Sequence, residues 1–312
     1  MADEKKVEDV IIIGAGPAGL AAALYAARAD LNPLVFTGTD LGGQVSLTYS
    51  IENYPGFPDG LSGTELADLF KRNAERFGAR IEFDSVTEVD LSKRPYLIKT
   101  YSGEFKTKTL IIAIGASPNK LGIPGEDEFR GKGVSYCATC DGWFFKDKKV
   151  AVVGGGDSAL EEGIFLTRYA SSVTIIHRRD ELRAGAILQE RAKKNEKINF
   201  LWNTIVTEIK GNDGLEKLSL ENTQNREKSE MDADGLFIFI GHSPNSAMFL
   251  GQLEIDDEGY IKTDDHYRTN LPGVFAAGEI HDSVYRQVVT SAGMGAAAAI
   301  EVRKFLENEE GG

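Results

Sequence analysis

Cysteine is nearly absent from this chain: among 312 residues only Cys137 and Cys140 carry thiols. That excludes a framework of structural disulfides, which needs several bridges. Histidine is scarce as well, with four residues, and none forms the H-x₃₋₅-H pair that would complete a zinc site with the two cysteines. No metal is expected. Basic charge is short: 35 Lys and Arg stand against 48 Asp and Glu, a net charge of −13. Binders of phosphate backbones or anionic membranes collect cations on one face, so nucleic acid is not an expected partner. Long hydrophobic runs are limited to one candidate, the 18 uncharged residues from Val10 to Ala27. Gly14, Gly16, Pro17 and Gly19 punctuate that run, and before it Asp3, Glu4, Glu8 and Asp9 outnumber Lys5 and Lys6. A signal peptide has a positive leader. A cytoplasmic protein with no membrane span is expected.

What is present begins with an internal repeat. The segment VIIIGAGPAGLAAAL from Val10 is echoed by VAVVGGGDSALEEGI from Val150, placing Gly14 over Gly154, Gly16 over Gly156 and Leu20 over Leu160. Each copy reads as a buried strand, a glycine turn and a helix, followed by a second apolar run: Leu34-Val35-Phe36 in one, Val173-Thr174-Ile175-Ile176 in the other. Two βαβ units in a chain of about two domains' length imply an α/β fold with two dinucleotide-binding domains. Gly115-Ala-Ser-Pro and Gly241-His-Ser-Pro close two further apolar runs, Leu110 to Ile114 and Leu236 to Ile240, and read as chain crossings. An amphipathic helix is expected over about 63–80, short strands over 198–231 and a last helix from about Tyr285 to Leu306.

The first glycine cluster, Gly14-Ala15-Gly16-Pro17-Ala18-Gly19, fits G-x-G-x-x-G. Its glycines allow a tight turn, close approach of a pyrophosphate and close helix packing, with the phosphate on the helix N-terminus. The acidic residue that usually ends the second strand is missing, and Thr37-Gly38-Thr39 takes its place. The second cluster, Gly154-Gly155-Gly156-Asp157-Ser158-Ala159, has alanine in the third position, and His177-Arg178-Arg179-Asp180-Glu181-Leu182-Arg183 follows its second strand. Arginines at that strand end suit a 2′-phosphate, so NADPH is preferred over NADH; a solvated basic turn is the plainer alternative.

Cys137-Ala138-Thr139-Cys140-Asp141 places the two thiols in C-x-x-C spacing. Redox chemistry is the strongest reading, over zinc and over an inert buried pair. Asp141 is either an acid/base for thiol chemistry or a plain helix cap. A nicotinamide gives up two electrons as hydride, and a flavin can pass such a pair to a disulfide. Two dinucleotide sites and a cysteine pair together describe one electron path.

Over nearly its whole length the chain resembles the low-molecular-weight thioredoxin reductases. The matching stretches are GAGPAG, GGQ at Gly42–Gln44, ENYPG at Glu52–Gly56, CATCDG at Cys137–Gly142, GGGDSA, HRRDELRA, IGHSPN, GVFAAG at Gly273–Gly278 and YRQVVTSAG at Tyr285–Gly293. The resemblance implies two Rossmann-like three-layer domains, an FAD domain built from residues 1–116 and 246–312 and an inserted NADPH domain, 117–245, carrying the disulfide. It implies FAD contacts from Gly14, Gly16, Pro17, Ala18, Gly19, Gln44, Asn53, Gly115, Gly278, Glu279, Arg286 and Gln287. NADPH contacts are implied for Gly154, Gly156, Asp157, Ser158, His177, Arg178, Arg179 and Arg183. Cys140 would face the flavin, Cys137 would attack the disulfide of thioredoxin or a similar small dithiol protein, and Asp141 would be the acid/base. A homodimer is implied, as is rotation of the inserted domain about hinges near Gly115–Pro118 and Ser243–Asn245. One departure is Glu279, where the family usually has Asp. Flavoprotein subunits of alkyl hydroperoxide reductases are similar, but they normally carry an added N-terminal module with its own C-x-x-C, expected to be absent here. Flavin dithiol oxidases tend to lack an arginine signature such as HRRDELR. A protein that merely senses NADPH would explain neither the cysteines nor the second nucleotide site.

Overall fold

The computed structural model describes residues 6–39, 41–48 and 50–310, so the leader residues Asp3, Glu4 and Lys5 lie outside the described residues. Strand β1 (Val7–Ile13) turns through glycines into helix α1 (Pro17–Arg28) and returns as β2 (Leu34–Phe36), parallel to β1. Pro17 opens α1, where a missing N–H costs nothing and the fixed φ is already helical. Helix α2 (Gly63–Arg76) starts from a reciprocal Ser62–Glu65 capping box. It stops short of the expected residue 80 because Gly78, at φ 96°, turns the chain into β3 (Arg80–Glu82), which lies parallel to β2. An antiparallel meander follows: β4 (Val86–Asp90), β5 (Tyr96–Thr100) and β6 (Glu104–Ile112), the last also parallel to β1.

The chain then passes through β7 (Ala116–Pro118) into a second sheet. Its elements are β8 (Val134–Ser135), α3 (Ala138–Asp141), β9 (Lys149–Val153), α4 (Asp157–Leu166), β10 (Ser172–Ile176), α5 (Ala186–Lys194) and β11 (Ile198–Leu201). An antiparallel three-stranded meander comes next, β12 (Thr204–Gly211), β13 (Leu215–Asn222) and β14 (Lys228–Asp232), before β15 (Gly235–Ile238) rejoins the parallel sheet. The order across that sheet is β11-β10-β9-β15-β8. Strand β16 (His242–Pro244) leads back and pairs with β7, so the two crossings form a small ribbon of their own. Finally β17 (Val274–Ala276) adds to β6 along Leu110–Ile112, and α6 (Val288–Glu310) ends the described chain. In both sheets the opening strands run in 3-2-1 order, the arrangement of a dinucleotide-binding half.

Two compact units result: residues up to Ser117 together with those from Ser243 onward, and Pro118–His242. Side chains alternate across a strand. Val10 and Ile12 therefore pack with Ala22, Ala26 and Val302 of α1 and α6, while Ile11 and Ile13 join Ile98, Phe249 and Ile261 on the other face. The inserted unit repeats the plan. Val150 and Val152 meet Leu160 and Leu166 of α4, and Ala151 and Val153 face Val206, Leu218 and Leu220 of the meander. Covering both faces is what a parallel sheet requires, and each fully buried aliphatic side chain stabilises by about 1.5–3 kcal/mol. The result is the expected three-layer α/β architecture in each unit. Gly295 lets α6 press onto α1, since a Cβ there would stand 1.9 Å from the Ala18 carbonyl oxygen.

Candidate active site

In the first unit the glycine turn is built as a phosphate site needs. Gly14 has φ 103°, and a Cβ on it would collide with the Ala113 carbonyl at 2.3 Å. A Cβ on Gly19 would lie 1.8 Å from the Gly14 oxygen, which fixes α1 tightly against the turn. Gly16 is different: a Cβ there would find nothing nearer than the Gly42 oxygen, 3.9 Å away. Its open face stands at the N-cap of α1, where no side chain caps the helix. Backbone N–H groups at such a terminus favour an anion. A cradle that a Cβ would fill, over uncapped donors, fits a pyrophosphate.

Other FAD-assigned residues belong to the same unit. Ala18 is buried, and Gly278, at φ 77°, would bring a Cβ within 2.9 Å of the Ala18 methyl. Gln44 projects from a 3₁₀ turn over Gly43–Leu47. Asn53 donates from Nδ2 to Gln287 Oε1 at 3.2 Å. The last helix begins at Val288 and not at the expected Tyr285. The Asp282 carboxylate accepts the N–H groups of Val284, Tyr285 and Arg286, and Arg286 takes φ 50°. This Asp-centred turn competes with helix and sets Arg286 and Gln287 in a loop. Arg286 Nη2 donates to the Tyr260 hydroxyl at 3.1 Å. Burial pushes the Glu279 carboxyl up, with the Arg286 charge opposing and Asp282 adding to the rise. Gly115, at φ 63°, lies where the chain leaves the unit and accepts the Asn245 N–H at 3.1 Å.

The second turn keeps the plan with one substitution. Gly154 would put a Cβ 2.5 Å from both the Ala159 methyl and the Phe239 oxygen, while Gly156, the uncapped N-cap of α4, has nothing within 4 Å. Ser158 is exposed in the first turn of α4. The arginine loop is lashed to this turn. Arg183 and Ala184 donate their N–H groups to the Gly155 oxygen at 2.7 and 3.2 Å, and Asp157 Oδ1 accepts the Gly185 N–H at 2.7 Å. His177 is buried; its ring lies where a Gly155 Cβ would sit, and Nε2 is 2.9 Å from the Glu181 carbonyl oxygen. Burial lowers its pKa, and the nearby arginine charges add to that, against the Glu181 bond. The ring thus holds the loop through its contact with the Glu181 carbonyl. Arg178, Arg179 and Arg183 remain exposed, with no ion pair among the described residues. Three unneutralised guanidinium groups beside an open helix N-terminus fit a phosphate-tagged dinucleotide.

The cysteines meet in the inserted unit. A disulfide joins Cys137 to Cys140 with S–S 2.09 Å. Cys137 is the N-cap of α3, and its sulfur accepts the Cys140 N–H at 3.2 Å and lies 3.3 Å from the Thr139 hydroxyl. Asp141 ends the same short helix. Its carboxyl is pushed up by burial, with the Ser135 hydroxyl and the Arg130 charge opposing. Two residues not singled out from the sequence share this site. Ser135 lies 2.6 Å from Asp141 Oδ2. Glu162 of α4 faces the same short helix, and burial, then Glu161, raises its pKa, with the Ala138 backbone opposing. No local spacing signals either one, because a strand end and a separate helix bring them in. Among the described residues no group of His, Cys, Asp and Glu is arranged to hold a metal.

Comparison with known proteins agrees with this chemistry. The family model described as pyridine nucleotide-disulphide oxidoreductase matches residues 8–295. A thioredoxin reductase of Mycolicibacterium smegmatis is 49% identical over 311 residues, covering 99% of this chain and 100% of the relative. One from Streptomyces coelicolor is 50% identical, covering 96% and 94%. The crystal structure of thioredoxin reductase from Streptococcus pyogenes superposes with a TM-score of 0.93 at 43% identity, covering 98% of this chain and 100% of that one. The chain belongs to the pyridine nucleotide-disulphide oxidoreductase family and, within it, to the low-molecular-weight thioredoxin reductases.

Proposed function

We propose that this protein is an NADPH-dependent flavoenzyme that reduces the disulfide of thioredoxin or a similar small dithiol protein. The observation that carries the reading is a bonded Cys137–Cys140 pair on the same short helix as Asp141, a carboxyl that burial biases toward its protonated form. The first glycine turn, with Asn53, Arg286 and Gln287, holds FAD; the second, with Arg178, Arg179 and Arg183, holds NADPH. Bound FAD supplies the link between a hydride donor and a disulfide.

Once the pair is reduced, the Cys140 amide and the Thr139 hydroxyl both address the Cys137 sulfur, which favours its thiolate. Cys137 attacks one sulfur of the partner's disulfide, and the partner's other sulfur leaves with the proton held by Asp141. Cys140 then attacks Cys137, which frees the second partner sulfur and restores the internal disulfide; the proton given up by Cys140 goes to the departing sulfur. The inserted unit turns about β7 and β16 between the two half-reactions. We further place the enzyme in the cytoplasm as a homodimer, a reading supported by the family. No helix among the described residues is long and apolar enough to cross a membrane.

Anaerobic titration of the purified yellow protein tests this. NADPH should bleach the flavin at far lower concentration than NADH, and added thioredoxin should restore the colour. Flavin that NADPH leaves oxidised, or colour that returns only with oxygen, would point instead to a dithiol oxidase.

A further inference from the structure

The hydroxyl of Ser135 has more acceptors around it than hydrogens to give. Ser135 closes β8, is 4% exposed, and is held in register opposite Phe237 of β15. Its Oγ lies 2.6 Å from Asp141 Oδ2 and 3.2 Å from the Cys137 carbonyl oxygen, and it accepts the Cys137 N–H at 3.1 Å. A serine carries one hydroxyl hydrogen and two lone pairs. The accepted N–H uses one lone pair, and two oxygens compete for the single hydrogen. A charged carboxylate wins that competition, because hydrogen bonds to ions are shorter and about twice as strong. A protonated carboxyl reverses the roles: it donates into the second lone pair, and the freed hydrogen swings to the Cys137 carbonyl.

We propose that Ser135 is a positioning residue for the exchange reaction, a two-way rotor that keeps Asp141 hydrogen-bonded whether or not Asp141 holds its proton. The proposal rests on the reading of Asp141 as the acid/base. An acid that loses and regains a proton each turnover needs a partner in both states, since an unpartnered buried polar group is costly. The rotor is anchored on both sides: the sheet fixes its Cα, and the Cys137 N–H fixes its oxygen. Three other features bear on Asp141. Arg130, ahead of β8, favours the carboxylate. The two sulfurs stand on its short helix and at that helix's N-cap, and the Glu162 carboxyl of α4 feels the Ala138 backbone. Strand β15, paired with β8, contributes Gly235–Ile238 and no titratable side chain.

The test is the pH profile of thioredoxin reduction by the holoenzyme, comparing wild type, Ser135→Ala, Ser135→Thr and Asp141→Asn. Losing one hydrogen bond to a charged oxygen should carry the limb due to Asp141 upward by about one pH unit in Ser135→Ala. Ser135→Thr keeps a hydroxyl and should keep the wild-type limb. Asp141→Asn should have no such limb. A Ser135→Ala profile that superimposes on wild type after scaling overturns the rotor, leaving Ser135 a merely structural residue. A limb that survives in Asp141→Asn overturns the acid/base reading itself, which is a separate failure. If Ser135→Ala does not accumulate as a flavoprotein, Ser135→Thr decides the matter: a displaced limb in that hydroxyl-bearing variant also overturns the proposal.

Discussion

Asn53 and Gln287 are joined by a side-chain hydrogen bond of 3.2 Å although 234 residues separate them. Both stand on loops of the first unit, the Asn53 loop being closed by the isolated antiparallel bridge between Ile51 and Leu61. Gln287 is placed by the Asp282 turn just ahead of α6, and its N–H donates to the Thr290 hydroxyl. The pair thus ties the start of the chain to its last helix at the expected flavin site. Gln287→Ala should weaken FAD binding about three- to tenfold, the worth of one or two neutral hydrogen bonds. Fluorescence of flavin released on dilution measures it, and full retention would show that the pair serves only the loops.

The two sulfurs should separate by role. In Cys140→Ser the attacking thiol remains but its resolving partner is gone, so a mixed disulfide with thioredoxin should accumulate and turnover should cease. Cys137→Ser should give no mixed disulfide and no turnover. Non-reducing electrophoresis distinguishes them, and the opposite pattern would exchange the assignments of Cys137 and Cys140.

Charge on the arginine loop should set coenzyme choice. Arg178→Ala alone should raise the KM for NADPH about 10- to 100-fold, since one bond to a phosphate oxygen is worth roughly 1.5–3 kcal/mol. The KM for NADH should barely move. A parallel rise for both coenzymes would mean that the loop supports the site without reading the 2′-phosphate.

Adjacent glycines should fail in different ways. A Cβ on Gly155 would meet the buried His177 ring at 2.2 Å, whereas one on Gly156 meets nothing within 4 Å. Gly155→Ala should therefore destabilise the inserted unit by about 1–3 kcal/mol through overpacking. Gly156→Ala should fold normally and lose NADPH affinity, because the new methyl occupies the phosphate's approach. Thermal unfolding against coenzyme titration separates the two.

Asp141 should also leave a mark on stability. Its folded-state pKa is raised above the ordinary 3.8, chiefly by burial. Between those two values the folded protein binds more protons than the unfolded chain, so this group's contribution declines as pH rises through its folded pKa. Above that, a constant penalty remains. Asp141→Asn removes it, so the variant's melting temperature relative to wild type should be higher at pH 8 than at pH 4. Equal differences at both pH values would show that Asp141 is not perturbed.

Sequence made the two glycine turns legible because their requirements are local. Gly14 and Gly154 need a backbone that other residues rarely adopt, and a third small residue must follow at fixed spacing. The C-x-x-C pair and the arginines after β10 were legible for the same reason. Ser135 was not, since its contact with Asp141 requires β8 to be docked in the sheet first. Nor was the true start of α6, where tertiary demand for the Asp282 turn overrides a run that reads as helical from Tyr285. The edge strand β4 was also hidden: of Val-Thr-Glu-Val-Asp only Val89 is buried, so no alternation of apolar residues announces it.

The side-by-side pairing of β7 with β16 means that the inserted unit begins and ends at neighbouring points. Such a module can be cut out or grafted in at one seam, and neither core is opened, because all four hydrophobic clusters lie wholly on one side of that seam or the other. The same juncture is a natural place for lineage-by-lineage replacement of one unit beside an unaltered other.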